Sequence, residues 1–289
     1  MRVRLIDMVF PGDANHHGTL FGGVGLAHLD KVAFLAASRH ARRAVVTAGC
    51  ERIDFAAPAR IGEMVEAVGR VVRIGRSSLG VEVELHAESL LSGERRLCTR
   101  GAFNMVALRP AGDDQPLAPL DEAGEADDGW LRTAEMVFPG TTNHYGTLFG
   151  GDALKLMGKA AFVTATRHAR EVMVMAATNR IDFKAPIDGG DMVELVSRVK
   201  MVGRSSLSVE VQLWAERLLT GERRRSTTAE FVMVAVDDAA KPKTIKAGRT
   251  SDEVGAFYTQ GLRAAGADIA RSIRSGTHAG SDGFGFGIE

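Results

Sequence analysis

The sequence predicts an α+β chain made of two tandem copies of one small domain, each an antiparallel sheet wrapped around one long apolar helix. Met8-Val9-Phe10-Pro11-Gly12 returns as Met136-Val137-Phe138-Pro139-Gly140, an offset of 128 that holds without a gap from Met8 to Leu108 against Met136 to Val236. Of those 101 aligned positions 59 are identical, so the chain is an internal duplication. Each copy holds one stretch that is apolar on nearly every face, which only a buried helix tolerates. The same copy holds several β-rich stretches, some with one wet face, and an antiparallel sheet accommodates both.

In chain order, residues 3–10 read as a first strand and 11–23 as a loop containing Asn15-His16-His17-Gly18-Thr19-Leu20-Phe21-Gly22-Gly23. The helix is expected over 24–40, where Leu26, Ala27, Leu29, Val32, Ala33 and Phe34 crowd every face. Four strands follow over 44–55, 64–73, 79–91 and 95–108. The alternation Val81-Glu82-Val83-Glu84-Leu85 marks a strand with one solvated face, and Ile74-Gly75 and Ser92-Gly93 mark hairpin turns. The domains are therefore 1–108 and 131–238. Between them, 109–130 carries Pro110, Pro116, Pro119 and seven acidic residues and reads as a solvated linker. An extension, 239–289, offers a helix over 250–275 and a glycine-rich mobile tail.

Composition excludes several classes. The 289 residues are 45% hydrophobic and balance 36 Lys and Arg against 36 Asp and Glu, so no global field recruits nucleic acid or an anionic membrane. Any polyanion must be held by a local basic cluster. Cys50 and Cys98 are too few for a disulfide framework or a cysteine zinc site; both lie in apolar runs and read as core residues of a protein from a reducing compartment. The N-terminus meets charge before a signal-like segment forms, and no run of about 18 apolar residues occurs, so a cytoplasmic protein is expected. No P-loop or dinucleotide fingerprint is present.

Asp30 stands out among the titratable residues. Its helical neighbours at i−4, i−3, i+3 and i+4 are Leu26, Ala27, Ala33 and Phe34, which places its carboxylate along an apolar face where water is scarce. A carboxylate so placed is a stronger base toward a bound water. The plain alternative is a surface aspartate paired with Lys31 or Arg52. Gly22 and Gly23 open the helix, where free N–H groups and the helix dipole can polarise a carbonyl oxygen; helix initiation and tight packing explain a double glycine equally well. His16, His17 and His144 have no acidic partner at metal-like spacing, and adjacent side chains in the His16-His17 pair should splay apart, so no metal is expected.

Asn15-x-x-Gly18-x-Leu20-Phe21-Gly22-Gly23 followed by Leu29-Asp30 resembles the hotdog-fold acyl-CoA thioesterases of the cytosolic acyl-CoA hydrolase type. The likeness covers most of both repeats. It implies two hotdog domains fused to mimic a homodimer, hydrolysis of acyl-CoA to a carboxylate and free CoA without a cofactor, and further homo-oligomerisation, such as a trimer of pairs. The second copy keeps Asn143-His144-Tyr145-Gly146-Thr147-Leu148-Phe149-Gly150-Gly151 but has Gly158 where the acid should stand. Asp30 lies seven or eight residues past its own helix start, roughly 11 Å along the axis, too far to act on a carbonyl held there. The expected site is therefore composed across the repeats from Asp30, Asn143, Gly150 and Gly151. Asn143 would bind the thioester oxygen or orient water, or else merely form an Asx turn. The complementary half-site, Asn15, Gly22, Gly23 and Gly158, lacks a base. For the CoA phosphates the candidates are Arg76, Ser77 and Ser78 with their twins Arg204, Ser205 and Ser206, each set at a hairpin. An acyl-CoA sensor without hydrolysis and an acyl-thioester hydratase remain the alternatives.

Overall fold

In the computed structural model, which describes residues 2–51, 53–109, 115–120 and 128–245, the apolar stretches form two 20-residue helices, α1 (Gly22–Ala41) and α2 (Gly150–Ala169). Each stops the same way. Arg42 and Arg170 take the left-handed conformation (φ 52° and 53°), and their N–H groups donate to Ser38 O and Thr166 O at 2.9 and 2.8 Å.

The first repeat supplies β1 (Arg2–Met8), β2 (Val45–Cys50), β3 (Asp54–Phe55), β4 (Met64–Ile74), β5 (Ser78–Glu88) and β6 (Arg95–Ala107). The second supplies β7 (Leu131–Met136), β8 (Met173–Thr178), β9 (Met192–Val202), β10 (Ser206–Glu216) and β11 (Arg223–Ala235). The sheets run β1-β4-β5-β6-β2, with β3 also on β6, and β7-β9-β10-β11-β8, antiparallel throughout. Each wraps its own helix, so the two-hotdog architecture holds. Leu29, Val32, Leu35 and Ala36 of α1 pack on Val65, Val81, Val83 and Leu85. Gly69 of β4 marks the closest approach: a Cβ there would lie 2.7 Å from the Val32 carbonyl oxygen. Its counterpart Ser197 makes the same crossing with a hydrogen bond to Thr164, 2.7 Å between hydroxyls.

One expectation needs correction and a second needs refining. The stretch 44–55 is two strands, β2 ending at Cys50 and β3 starting at Asp54, and within β2 Thr47 pairs with Met105 and Gly49 with Asn104, leaving Ala48 as a bulge that twists the edge. Residues 115–120 are exposed as expected of a linker except at one anchor. Leu117 is 8% exposed within the first core, Ala118 O accepts a hydrogen bond from His40 Nε2 at 2.8 Å, and Gln115 O accepts one from Arg43 at 2.9 Å. The helix expected over 250–275 and the tail lie outside the described residues.

The repeats face each other across a pseudo-twofold interface. The edge strands β1 and β7 adjoin, with the Ile6 N–H donating to Thr133 Oγ1 at 3.0 Å, and Ile6, Met64 and Val163 form an apolar cluster drawn from both halves. Around this run reciprocal ion pairs. Arg39 of α1 reaches Glu216 (2.8 Å) and Glu194 (3.6 Å) of the second sheet, while Arg167 of α2 reaches Glu88 (2.6 Å) and Glu66 (2.8 Å) of the first. Arg42 and Arg170 add a second bond to Glu216 and Glu88. Burial alone would raise the Glu88 carboxyl, but hydrogen bonds and charge from Arg167 and then Arg170 outweigh it and hold the group below the ordinary carboxylate value. Nearer the axis, Lys31 pairs with Glu135 at 2.8 Å and Lys159 with Asp7 at 3.1 Å. His28 sits among these four charges, and burial outweighs the attraction of Asp7 and Glu135 to lower its pKa.

Two consequences are measurable. Glu88→Gln removes a buried charge and leaves Arg167 short of its partner, so it should cost about 3 kcal/mol, read as a lower urea midpoint. Because the folded protein disfavours protonated His28, stability is complete above the unfolded-state value near 6.5 and is lost as the pH falls below it. His28→Leu, which copies Leu156 at the equivalent position, should lose less stability than the parent between pH 7 and pH 5.

Candidate active site

Asp30 occupies the middle of α1 and faces β2. The bulge at Ala48 turns Thr47 toward the helix, and Thr47 Oγ1 donates to Asp30 Oδ1 at 2.8 Å. This fixes one carboxylate oxygen and leaves the other available. The carboxylate is half-buried, and Leu26 and Ala27 beside it are exposed, so the expectation of a dry apolar face is corrected: water reaches the group. Of the two partners in the alternative reading, Lys31 is bonded to Glu135 and Arg52 lies outside the described residues. Thr47 is a partner of Asp30 that the sequence did not single out. Its signal lay in the repeat comparison, because the position equivalent to Thr47 is Met175 just as that of Asp30 is Gly158.

The two asparagine loops are superposable in their hydrogen bonding. Asn143 Nδ2 donates to Thr147 Oγ1 at 2.9 Å, and its Oδ1 accepts from the Tyr145 and Thr147 N–H groups at 2.9 and 3.3 Å. Asn15 makes the same bonds to Thr19 and His17 at 3.0, 2.9 and 3.3 Å. These are Asx turns, and each leaves one amide proton of the side chain to donate outward. The loops deliver the chain to Gly22-Gly23 and Gly150-Gly151 as the first residues of α1 and α2, whose N–H groups have no intrahelical acceptor. At Gly151 and Gly23 a Cβ would lie 2.6 and 2.7 Å from the rings of Phe149 and Phe21, which would have to turn aside. Gly150 is different, with nothing within 4 Å of its Cβ position, whereas Phe55 stands 3.7 Å from that of Gly22.

The second repeat's loop leans on the first repeat's helix. Lys31, next to Asp30, bonds Glu135 and lies 5.8 Å from the Phe138 ring centre; from Phe138 the chain runs to Thr141, whose carbonyl accepts the Phe149 N–H at 2.9 Å where α2 begins. The reciprocal contact is Lys159 with Asp7. This arrangement favours a site shared between repeats.

At the complementary position Gly158 faces Met175. A Cβ on residue 158 would lie 2.9 Å from the Met175 methyl. The acid and its hydroxyl partner have thus been replaced together by a glycine and a thioether that fills the vacated space.

The hairpins carrying Arg76-Ser77-Ser78 and Arg204-Ser205-Ser206 are closed by Gly75 N–H to Ser78 O and Gly203 N–H to Ser206 O, both 2.7 Å, and both arginines are exposed. Leu79, just past the first hairpin, pairs with Met105, which pairs with Thr47, so this turn lies two strand spacings, about 10 Å, from the Asp30–Thr47 pair. Arg73 bonds Asn104 at 2.7 Å beside it, and Arg109, another residue not singled out from sequence, donates to the Arg76 carbonyl. Arg73 and Asn104 become Met201 and Val232 in the second repeat, where Lys200 stands for Val72 and is bonded to Glu230 at 2.9 Å.

His16 and His17 do not splay. Their ring centres lie 3.9 Å apart, as do His144 and Tyr145 at 3.8 Å, so a histidine–aromatic stack caps each loop. Cys98 is buried, and burial pushes its thiol pKa up, whereas Cys50 is exposed near the end of β2 and is not the core residue its apolar run suggested.

The profile of the Thioesterase superfamily matches residues 17–93 and 145–222, once in each repeat. The solved structure of an acyl-CoA hydrolase from Agrobacterium tumefaciens is 50% identical, aligns with a TM-score of 0.78 and covers 85% of this chain and 98% of its own. A Bacillus subtilis protein described as an uncharacterized acyl-CoA thioester hydrolase is 42% identical over 106 residues; the match takes in 37% of this chain and 62% of that protein. The cytosolic acyl coenzyme A thioester hydrolase of Mus musculus is 23% identical over 283 residues, 81% of this chain and 74% of the mouse protein. Among the described residues no helix is long and apolar enough to cross a membrane. With one match in each half and the site geometry repeated between them, the chain belongs to the thioesterase superfamily.

Proposed function

We propose that the chain hydrolyses acyl-CoA thioesters at one site composed of Asp30 and Thr47 from the first repeat and Asn143, Gly150 and Gly151 from the second. The observation that carries this is the Thr47–Asp30 hydrogen bond, found only in the repeat that keeps the acid. Asp30 takes a proton from water as the water oxygen bonds to the thioester carbon. The carbonyl oxygen gathers negative charge, which the Gly150 and Gly151 N–H groups at the positive end of α2 and the outward amide proton of Asn143 stabilise. The intermediate collapses by breaking the carbon–sulfur bond, and the proton held by Asp30 passes to the departing CoA thiolate. Thr47 acts as a positioning residue for the carboxylate.

The CoA phosphates lie on this reading against Arg76, with Arg73 and Arg109 raising the local potential and Ser77 and Ser78 in reach. Arg204, Ser205 and Ser206 serve the other half. The substrate is a small molecule, and the hairpin cations replace the global positive charge that the chain lacks. The reading extends to a homo-oligomer of the double hotdog, such as a trimer, supported by exposed Phe10, Phe21, Phe55, Phe138, Phe149 and Phe183. The balance of charge and the reducing compartment inferred from two unpaired thiols fit a cytoplasmic enzyme.

Asp30→Asn should keep the melting temperature and lower turnover at least about a hundredfold, since a general base contributes 10² to 10⁴; unchanged hydrolysis by the purified variant would remove Asp30 from the mechanism. Asn143→Ala should impair turnover while Asn15→Ala should not, and the opposite ranking would place the site within one repeat. Arg76→Ala should raise KM for acyl-CoA far more than KM for the matching pantetheine thioester. Equal changes for the two substrates would move the phosphate site elsewhere.

A further inference from the structure

We infer that the second half-site, Asn15, Gly22 and Gly23 facing Gly158 and Met175, is an acyl-thioester site that lacks only its base, so that one chain holds a second acyl-CoA which it does not hydrolyse. The inference rests on the thioesterase reading of the first site and goes beyond it in assigning a ligand to the second.

The half-sites differ in a selective way. Everything proposed to hold the carbonyl is kept: the asparagine turn with the same bonds within about 0.1 Å, the double glycine at the helix start, and the aromatic ring beside the second glycine. The strand that faces the helix keeps its register too. Met175 pairs with Met233 as Thr47 pairs with Met105, and the bulge falls on Ala176 as it does on Ala48. What has gone is gone in pairs. The hydrogen-bonded Asp30–Thr47 becomes Gly158–Met175, and the hydrogen-bonded Arg73–Asn104 becomes Met201–Val232. Replacing both partners of a hydrogen bond by apolar groups is close to neutral for stability, whereas losing one leaves an unsatisfied group. The second half was therefore converted without damage to the fold, and the conversion removed the acid while leaving the thioester cradle.

The replacement also makes the half-site surface more apolar. Met175 is 47% exposed, with Val174 exposed beside it, so the thioether presents a flexible apolar surface to an acyl chain. Binding there is weaker than at the first site, because Met201 stands in place of Arg73 and Phe55 narrows the approach to Gly22. The loss of one phosphate-facing cation predicts a Kd about tenfold higher.

The block on hydrolysis is then specific: residue 158 has no carboxylate, and a carboxylate placed there alone meets the Met175 methyl at 2.9 Å from its Cβ. Gly158→Asp with Met175→Thr recreates both the acid and its donor.

Calorimetric titration of the Asp30→Asn chain with S-octyl-CoA, a thioether that cannot be hydrolysed, should give two equivalents per chain, the weaker about tenfold above the tighter in Kd. Adding Asn15→Ala should reduce this to one. A single equivalent in Asp30→Asn, or two that persist in Asn15→Ala, overturns the inference while leaving the thioesterase reading intact. Absence of hydrolysis of octanoyl-CoA by the parent chain overturns the reading itself, and the inference with it. As an independent arm, Gly158→Asp with Met175→Thr in the Asp30→Asn background should raise octanoyl-CoA turnover at least tenfold over Asp30→Asn alone, and Gly158→Asp without Met175→Thr should raise it less. A folded triple variant, judged by its melting temperature, that gains nothing refutes the claim that only the base is lacking.

Discussion

Arg39 and Arg167 each leave their own repeat to reach a pair of carboxylates on the sheet of the other, and the rest of the molecule is organised around that exchange. Glu88 and Glu216 are 5% and 2% exposed, so each is a buried charge that needs its arginine, and each arginine is the property of the opposite half. Such a pair contributes little net stability over an apolar substitute of equal volume, but it tolerates no slippage. It sets the two helices in one relative placement, and the shared site proposed between the middle of α1 and the start of α2 depends on that placement. The Lys31–Glu135 and Lys159–Asp7 pairs repeat the pattern nearer the centre, where His28 replaces the Leu156 of the other half.

Around this symmetric frame the repeats differ at 42 of the 101 aligned positions, and some of those differences fall on the candidate site. The ion-pair residues, the asparagine loops and the helix starts are kept in both repeats, whereas Asp30, Thr47, Arg73 and Asn104 each lose their counterpart. Here the losses on one side fall on hydrogen-bonded couples, so that no donor or acceptor was stranded.

Much of this was legible in the sequence because its strongest signals are local. The stretch 24–40, apolar on nearly every face and preceded by two glycines, reads as a buried helix, and the alternation in 81–85 as a strand with one wet face. What escaped were features created by tertiary geometry. A bulge of one residue at Ala48 interrupts the register of β2 beside Thr47, which bonds Asp30, and nothing in the run Val45 to Cys50 announces it. Helical spacing placed Asp30 among apolar neighbours but could not show that Leu26 and Ala27 are on the solvent side. The same limit explains Cys50, apolar in its neighbourhood yet exposed on an edge strand, and Leu117, whose proline-rich surroundings hid an anchor in the core. The comparison of repeats at a fixed offset was the untapped source, since it marks Thr47 as plainly as it marks Asp30.

That Leu117 is seated in the first core has a further meaning once the chain is viewed as a tethered pair. Two separate domains holding each other through salt bridges would part on dilution, and identical partners would have to change every residue twice. In a single chain the second domain is present at an effective concentration set by a short, partly anchored connection, so association no longer depends on how much protein the cell makes. Each half is also free to mutate alone. A lone Gly158 is unavailable to any symmetric dimer, and the tether is what made an enzyme with two unequal halves accessible to evolution.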